Sequence, residues 1–159
     1  MTGSGPACCV IIVCLGVDAL LRDRHGRVLL VDPAYKPNWD LPGGMAEANE
    51  APADALHREL AEELGLHLPQ GMALVCVDWV APHGPWDDSL MMIFNGGTLT
   101  PDHVARLHLA DAELAAFEFC TLEETQKRLR PYVWERLHAA ITAAAAGTVA
   151  YLHNGQTAT

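Results

Sequence analysis

The sequence predicts an α/β sandwich built on a mixed β-sheet, and three observations carry that expectation. Apolar, β-branched runs of strand length recur along the chain, as in ACCVIIVCLGVDALL, VLLVD and MALVCVDWV. A stretch with helical spacing, residues 50–64, sits between those runs, and a second long helical stretch follows them. With 159 residues the chain fits one compact domain, enough to bury roughly two-thirds of its unfolded surface. The expected organisation is a loose tail at 1–6, one domain over 7–147, and a C-terminal tail at 148–159 that adds an edge strand or stays mobile.

Taken in order, the run from Ala7 reads as a strand, RDRHGR as a turn and VLLVD as a second strand, together forming a hairpin. Residues 33–44, PAYKPNWDLPGG, carry three prolines that forbid a helix and two glycines that free the backbone for close approach to a ligand, so they read as a loop. In 50–64, Ala55, Leu56, Leu60 and Leu64 recur at helical spacing while Glu59, Glu62 and Glu63 occupy another sector. Pro52 is tolerated in the first turn, and Gly65 is placed to end the helix. MALVCVDWVAP, SLMMIFNGGTL and LAAFEFCTL read as further strands. LEETQKRL is a short helix stopped before Pro131, and YVWERLHAAITAAAAG a longer one ended by Gly147.

A formal charge of −10 excludes binding of nucleic acid through a basic stripe, since no such stripe is present. It does not exclude a phosphate substrate, because divalent cations can stand between carboxylates and phosphate oxygens. Five cysteines, Cys8, Cys9, Cys14, Cys76 and Cys120, form no CxxC pair and read as reduced thiols of a cytoplasmic protein. The apolar run Ala7–Val17 is too short to span a bilayer and lacks a basic leader, so no membrane association is expected.

From Gly44 the chain reads GMAEANEAPADALHRELAEELGL, which satisfies G-x5-E-x7-R-E-U-x-E-E-x-G-U, with U aliphatic, at every fixed position. Those positions are Gly44, Glu50, Arg58, Glu59, Leu60, Glu62, Glu63, Gly65 and Leu66; a chance match has odds on the order of one in a billion per starting point. Helical residues three and four apart share a face, so the three glutamates crowd their charges together. A hard dication relieves that repulsion while keeping open positions for water and phosphate. The pattern resembles the Nudix box, and over 44–66 the chain is similar to Nudix hydrolases; the preceding W-x-L-P-G-G fits as well.

The resemblance implies a Nudix α/β/α sandwich with a catalytic loop-helix-loop, and a hydrolase of phosphoanhydride bonds. It implies Mg²⁺, with Mn²⁺ as a substitute, held by Glu59, Glu62, Glu63 and the carbonyl of Gly44, with Arg58 orienting the glutamates. Glu50 either binds metal indirectly or caps the helix, and capping is the favoured reading. The general base is not transferable by motif: Glu113, just before a predicted strand, stands where the family often supplies a later acid, with Asp111 and Glu62 as competitors. The implied substrates are nucleoside diphosphates linked to another group. Pro82, sixteen positions past Leu66, gives a slight lean to ADP-ribose or a nucleotide sugar. Nucleoside triphosphates and dinucleoside polyphosphates are the alternative, and a non-catalytic module that senses a nucleotide metabolite is a second class.

Tyr35 and Trp86, in predicted loops, are the better candidates for stacking a base, ahead of Trp39 and Trp79. Asp87 and Asp88 are candidates for hydrogen bonds to base or ribose, and His57 reads as a surface residue. The expected partner is a nucleotide-derived small molecule, and the alanine-rich ITAAAAG helix offers a surface for a homodimer.

Overall fold

The computed structural model describes residues 13–158 of the chain. Within them lie β1 (Cys14–Arg22), β2 (Val28–Pro33), β3 (Gly43–Met45), α1 (Pro52–Leu64), β4 (Ala73–Val80) and β5 (Ser89–Thr98). There follow α2 (Pro101–Arg106), β6 (Leu114–Cys120), α3 (Leu122–Arg128), α4 (Pro131–Ala146), β7 (Ala150–His153) and β8 (Gln156–Thr157). The tail expected at 1–6, Cys8, Cys9 and the first residues of the opening apolar run lie outside the described residues.

The strands form one sheet in the order β6-β2-β1-β5-β4-β7-β8, with β3 pairing β1 off that path. β1–β5 and β4–β7 are parallel and the remaining pairs antiparallel, so the sheet is mixed as the sequence predicts. One edge of β1 is shared. β2 meets it at Arg22↔Val28, and β3 takes over at Gly16↔Met45, Val17↔Gly44 and Asp18↔Gly43. The chain between β2 and β3 loops out after Pro33 and returns through a bridge of Asp40 with Val31 before β3 begins at Gly43, and a cavity lies beside Asp18 there.

Strand side chains alternate between faces, and both faces of this sheet are covered. Val17, Ala19 and Leu21 pack with Ala55, Leu56, Leu60 and Leu64 of α1. Leu20, Val28, Leu30, Cys76 and Ile93 pack with Val133, Leu137 and Ala140 of α4. Asp18, in phase with Leu20, therefore belongs to the α4 face. The sandwich has α1 on one side and α4, with α3, on the other.

α1 begins with Pro52 in its first turn, where a missing N–H costs nothing, and ends on Gly65 at φ 61°. Its N-cap is Ala51, with no side-chain cap bond. The capping role expected for Glu50 is thus not observed, because Arg58 claims its carboxylate, as described below. Two elements depart from the sequence reading. Gly43–Met45 is a short strand rather than the end of a loop, and Pro101–Arg106 is a helix that the strand pattern around it hides.

β4 carries one charge into the core. Asp78, fully buried, accepts from Arg136 Nε at 2.9 Å and from the N–H of Gly155 at 3.0 Å. This ties α4 and the β7–β8 turn to the middle of the sheet. Asp78→Ala leaves a buried guanidinium without its counter-charge, and we expect it to lower unfolding free energy by about 3–5 kcal/mol in urea titrations. A loss below about 1 kcal/mol would show that Arg136 finds another partner.

Candidate active site

The box is assembled from β3, the turn after it and α1. Arg58 is its hub. Its Nε and Nη2 donate to the two oxygens of Glu50 at 2.9 Å, Nη1 to Glu59 and Glu62 at 3.0 Å, and Nη2 also to the carbonyl of Met45 at 3.0 Å. A planar guanidinium suits such forked binding where a lysine would not. One side chain thus locks the strand, the turn and two turns of helix together. Glu50 is correspondingly held low, to about 2, first by its bonds from Arg58 and then by the N–H of Glu47.

Two of the glutamates press against the glycine pair. The carboxylate of Glu59 lies so close to Gly44 that a Cβ built there would stand 2.4 Å from its carboxyl carbon. Glu63 Oε2 accepts from the N–H of Gly43 at 3.0 Å. Gly43 itself sits at φ 146°, and a Cβ would meet the Val17 carbonyl oxygen at 2.0 Å, so this position admits only glycine. Glu62 is different: its side chain is 56 % exposed and leans on Arg58. The three acids do not form a single tight knot, and among the described residues no three acidic, His or Cys side chains are gathered into a ready coordination sphere. Arg58 and the Gly43 N–H hold them apart, as substitutes for a cation's charge.

Asp18 and Asp40 approach the site from the sheet and the loop. Burial pushes the Glu63 carboxyl up to about 8, with Glu59, Asp18 and Asp40 adding repulsion in that order. Asp18 is likewise held well above the ordinary carboxylate range by burial and then by Asp40. Sequence reasoning missed both aspartates. The available signal was an acid in the middle of the apolar strand GVDALL, where an unpaired charge is costly. The donor set is all oxygen and negatively charged, and the missing side chain at Gly44 leaves the room that the Glu59 carboxylate occupies, a chemistry that fits a hard dication.

A consequence follows for stability. The folded chain holds the Glu63 proton more tightly than the unfolded chain, so protonation favours folding between pH 4.5 and about 8. We expect the thermal midpoint of metal-free protein to fall as pH rises through that window, and Mg²⁺ to restore it most at the upper end. A midpoint that rises with pH and ignores Mg²⁺ would contradict the geometry.

A cavity of about 220 Å³ opens beside these acids, lined by Glu63, Gly43, Gly44, Tyr35, Asp18 and Glu113 among others. Glu113 lines the same cavity as Glu63. Asp111 is not among the residues lining that cavity, and its Oδ1 accepts from the Glu113 N–H at 2.9 Å. Tyr35, 71 % exposed, stands at the rim. A second cavity of about 340 Å³ adjoins the first, sharing Asp18, Lys36, Asp40, Met45 and Met91, and is lined further by Trp86, Arg130, Tyr132 and Arg136. Lys36 and Asp40 pair at 2.6 Å where the two meet.

Other candidates are used elsewhere. Trp39 stacks under Arg128, 4.5 Å from its guanidinium carbon, and Trp79 Nε1 donates to Asp88 at 2.9 Å, which leaves that aspartate engaged. His57 is half-buried, and its Nε2 is buried with no partner among the described residues. Pro82 precedes a turn closed by reciprocal His83 and Trp86 backbone bonds of 3.0 Å, and turn formation accounts for it.

The profile of the NUDIX domain matches residues 14–141. The RNA pyrophosphohydrolase of Halorhodospira halophila is 46 % identical over 50 residues, covering 31 % of this chain and 28 % of that protein. The 8-oxo-dGTP diphosphatase of Proteus vulgaris is 40 % identical over 55 residues, 32 % of this chain and 49 % of that one. The chain thus spans less than half the length of these curated relatives. Among solved structures, the E. coli ORF135 protein superposes with a TM-score of 0.65 at 27 % identity, over 86 % of this chain and 94 % of its own. The matched profile covers β1 to β6 of the sheet and the box whose geometry is described above, and on that ground the chain belongs to the NUDIX domain family.

Proposed function

We infer that the protein is a divalent-cation-dependent hydrolase of a phosphoanhydride bond in a nucleoside diphosphate linked to another group. One observation carries this reading. Glu63, bonded to the Gly43 N–H, lines a cavity whose wall also includes Gly44, the glycine on which Glu59 rests, and that cavity runs into a larger one with Met45, Met91, Trp86 and Tyr132 among its walls. An acidic end beside a partly apolar end suits a molecule with phosphates at one end and a base at the other.

Glu59, Glu62, Glu63 and the Gly44 carbonyl would hold Mg²⁺, or Mn²⁺ in its place. When bound, the cation neutralises charge on the non-bridging phosphate oxygens and lowers the pKa of a water. The chain's own part is positional and protonic. Arg58 keeps Glu59 and Glu62 aimed, and the Gly43 N–H fixes Glu63. Glu113 shares the cavity with Glu63 and is the better placed base, since Glu62 is tied to Arg58. Tyr35 and Trp86 stand at the rims of the two cavities, where an aromatic face can cover a base.

A module that only senses a nucleotide has no need of a complete acid set with its arginine hub, and this chain keeps both. Phosphate release from a panel containing ADP-ribose, nucleotide sugars, nucleoside triphosphates and dinucleoside polyphosphates, with and without Mg²⁺, tests the inference. Mg²⁺-dependent turnover of at least one class is expected. Tight binding of a panel member with no turnover would support the sensing alternative instead.

A further inference from the structure

Two of the chain's asparagines, Asn95 and Asn154, are followed by glycine. Such a pair is chemically labile, because a glycine nitrogen has no neighbouring side chain to block its attack on the asparagine amide carbon. At 154 the fold requires the pair. Asn154 and Gly155 form the two-residue loop of the β7–β8 hairpin, between the register partners His153 and Gln156, with φ of 53° and 78°. Positive φ at both central positions matches the twist of paired strands, and asparagine followed by glycine adopts it most readily. A Cβ on residue 155 would also stand 2.9 Å from the carbonyl oxygen of Tyr132.

The reaction open to the pair needs only water. The Gly155 nitrogen loses its proton and bonds to Cγ of Asn154, the Cγ–Nδ2 bond breaks, and the departing nitrogen takes up a proton and leaves as ammonia. Water then opens the cyclic imide at either carbonyl, giving aspartate or isoaspartate. In the closed turn three sets of bonds oppose the first step. The Gly155 N–H donates to both oxygens of the buried Asp78 at 3.0 Å, so an anion forming on that nitrogen would face a carboxylate. Oδ1 of Asn154 accepts from the Ala81 N–H at 2.9 Å, and the Asn154 N–H donates to the Trp79 carbonyl at 2.9 Å, which keeps the side-chain carbon off the Gly155 nitrogen. β8, however, is two residues long and pairs with β7 alone at the end of the sheet, so opening of this hairpin lies at the low-energy end of the fold's motions. Asn154 is also exposed. Asn95 lies within β5, opposite Leu20 of β1 and Ala73 of β4, and its Oδ1 accepts from Arg22 Nη2 and from the Gly97 N–H. Freeing it means parting the middle of the sheet.

We propose that Asn154 is a site of spontaneous deamidation, timed by opening of the β7–β8 turn and guarded by Asp78. Once isoaspartate stands at 154, the main chain runs through an added methylene and the two-residue turn no longer joins His153 to Gln156 in register. Asp78 then loses the Gly155 N–H and keeps only Arg136, so the modification unties the C-terminal hairpin from the core. The site is independent of the hydrolase reading.

The test is ageing of the full chain at mildly alkaline pH, folded in buffer or unfolded in guanidinium chloride, with peptide mapping by mass spectrometry at intervals. In the unfolded chain Asn95 and Asn154 should both react. In the folded chain we expect product at 154 and not at 95, formed ~10- to 100-fold more slowly than in the unfolded chain because the turn must first open. Asp78→Asn, which offers Gly155 one neutral acceptor in place of a carboxylate, should speed the reaction at 154 by at least ~5-fold while 95 stays unreacted. Its thermal melt verifies that it folds. Reaction at 95 as fast as at 154 in the folded wild type would overturn the proposal, as would a folded rate at 154 equal to the unfolded rate or more than ~1,000-fold below it. An unchanged rate at 154 in folded Asp78→Asn would overturn it too, and the wild-type arms decide alone should that variant not fold.

Discussion

Glu63→Gln should fold, melt at or above the wild-type temperature in metal-free buffer at neutral pH, and lose turnover by on the order of a thousandfold. Glu63 is partly buried beside Glu59, Asp18 and Asp40, and its charge is disfavoured without a cation. A neutral amide removes that repulsion while keeping an oxygen for the Gly43 N–H, so stability does not suffer. What disappears is one carboxylate charge facing the cavity. A cation there contributes several kcal/mol of charge stabilisation, and each 1.36 kcal/mol is tenfold in rate. Steady-state assays at saturating Mg²⁺, paired with thermal melts, check both halves. Wild-type-like turnover in this variant would remove Glu63 from the chemistry.

The glycine pair should separate fold from activity in a way no bulk effect can imitate. At Gly44 the atoms an added methyl meets are the carboxylate of Glu59, the free end of a flexible side chain, 2.4 Å from the new Cβ. Gly44→Ala therefore keeps its stability within about 1 kcal/mol but displaces Glu59 by roughly an ångström, and misplacement on that scale costs about a hundredfold in rate. At Gly43 the atom met is the backbone carbonyl of Val17 at 2.0 Å, and φ is 146°. Gly43→Ala cannot be relieved by a rotamer change. It breaks the pairing of β3 with β1 and lowers the melting temperature along with the activity. Equal loss of stability in both variants would mean that the Glu59 carboxylate does not rest on Gly44.

Much of this architecture was legible because the relevant signals are local. Helical spacing of Leu56, Leu60 and Leu64, the stop at Gly65 and the alternation in β4 and β5 depend on neighbours a few residues apart. The box glutamates and Arg58 were legible from spacing for the same reason. What the sequence hid is decided across the fold. Glu50 precedes α1 as a cap would, yet Arg58, eight residues on, takes both its oxygens. Asp18, Asp40 and Arg136 lie far apart in the chain and line one cavity only because β1 is shared between β2 and β3 while α4 crosses the other face. Asp88 looked free in HGPWDD until Trp79, across the β4–β5 turn, donated to it. His57 falls at a variable position of the box, and only packing puts its Nε2 out of reach of water.

The measurement that bears most directly on the active site is a Mn²⁺ titration followed by electron paramagnetic resonance, run on the wild type and on Glu63→Gln, each with and without a nucleoside diphosphate. Saturable uptake by the wild type, strengthened by the nucleotide and weakened at least ~10-fold in the variant, is the expected result. No saturable uptake by the wild type under either condition, or equal affinity in the two proteins, would contradict the assignment of these carboxylates to a catalytic cation.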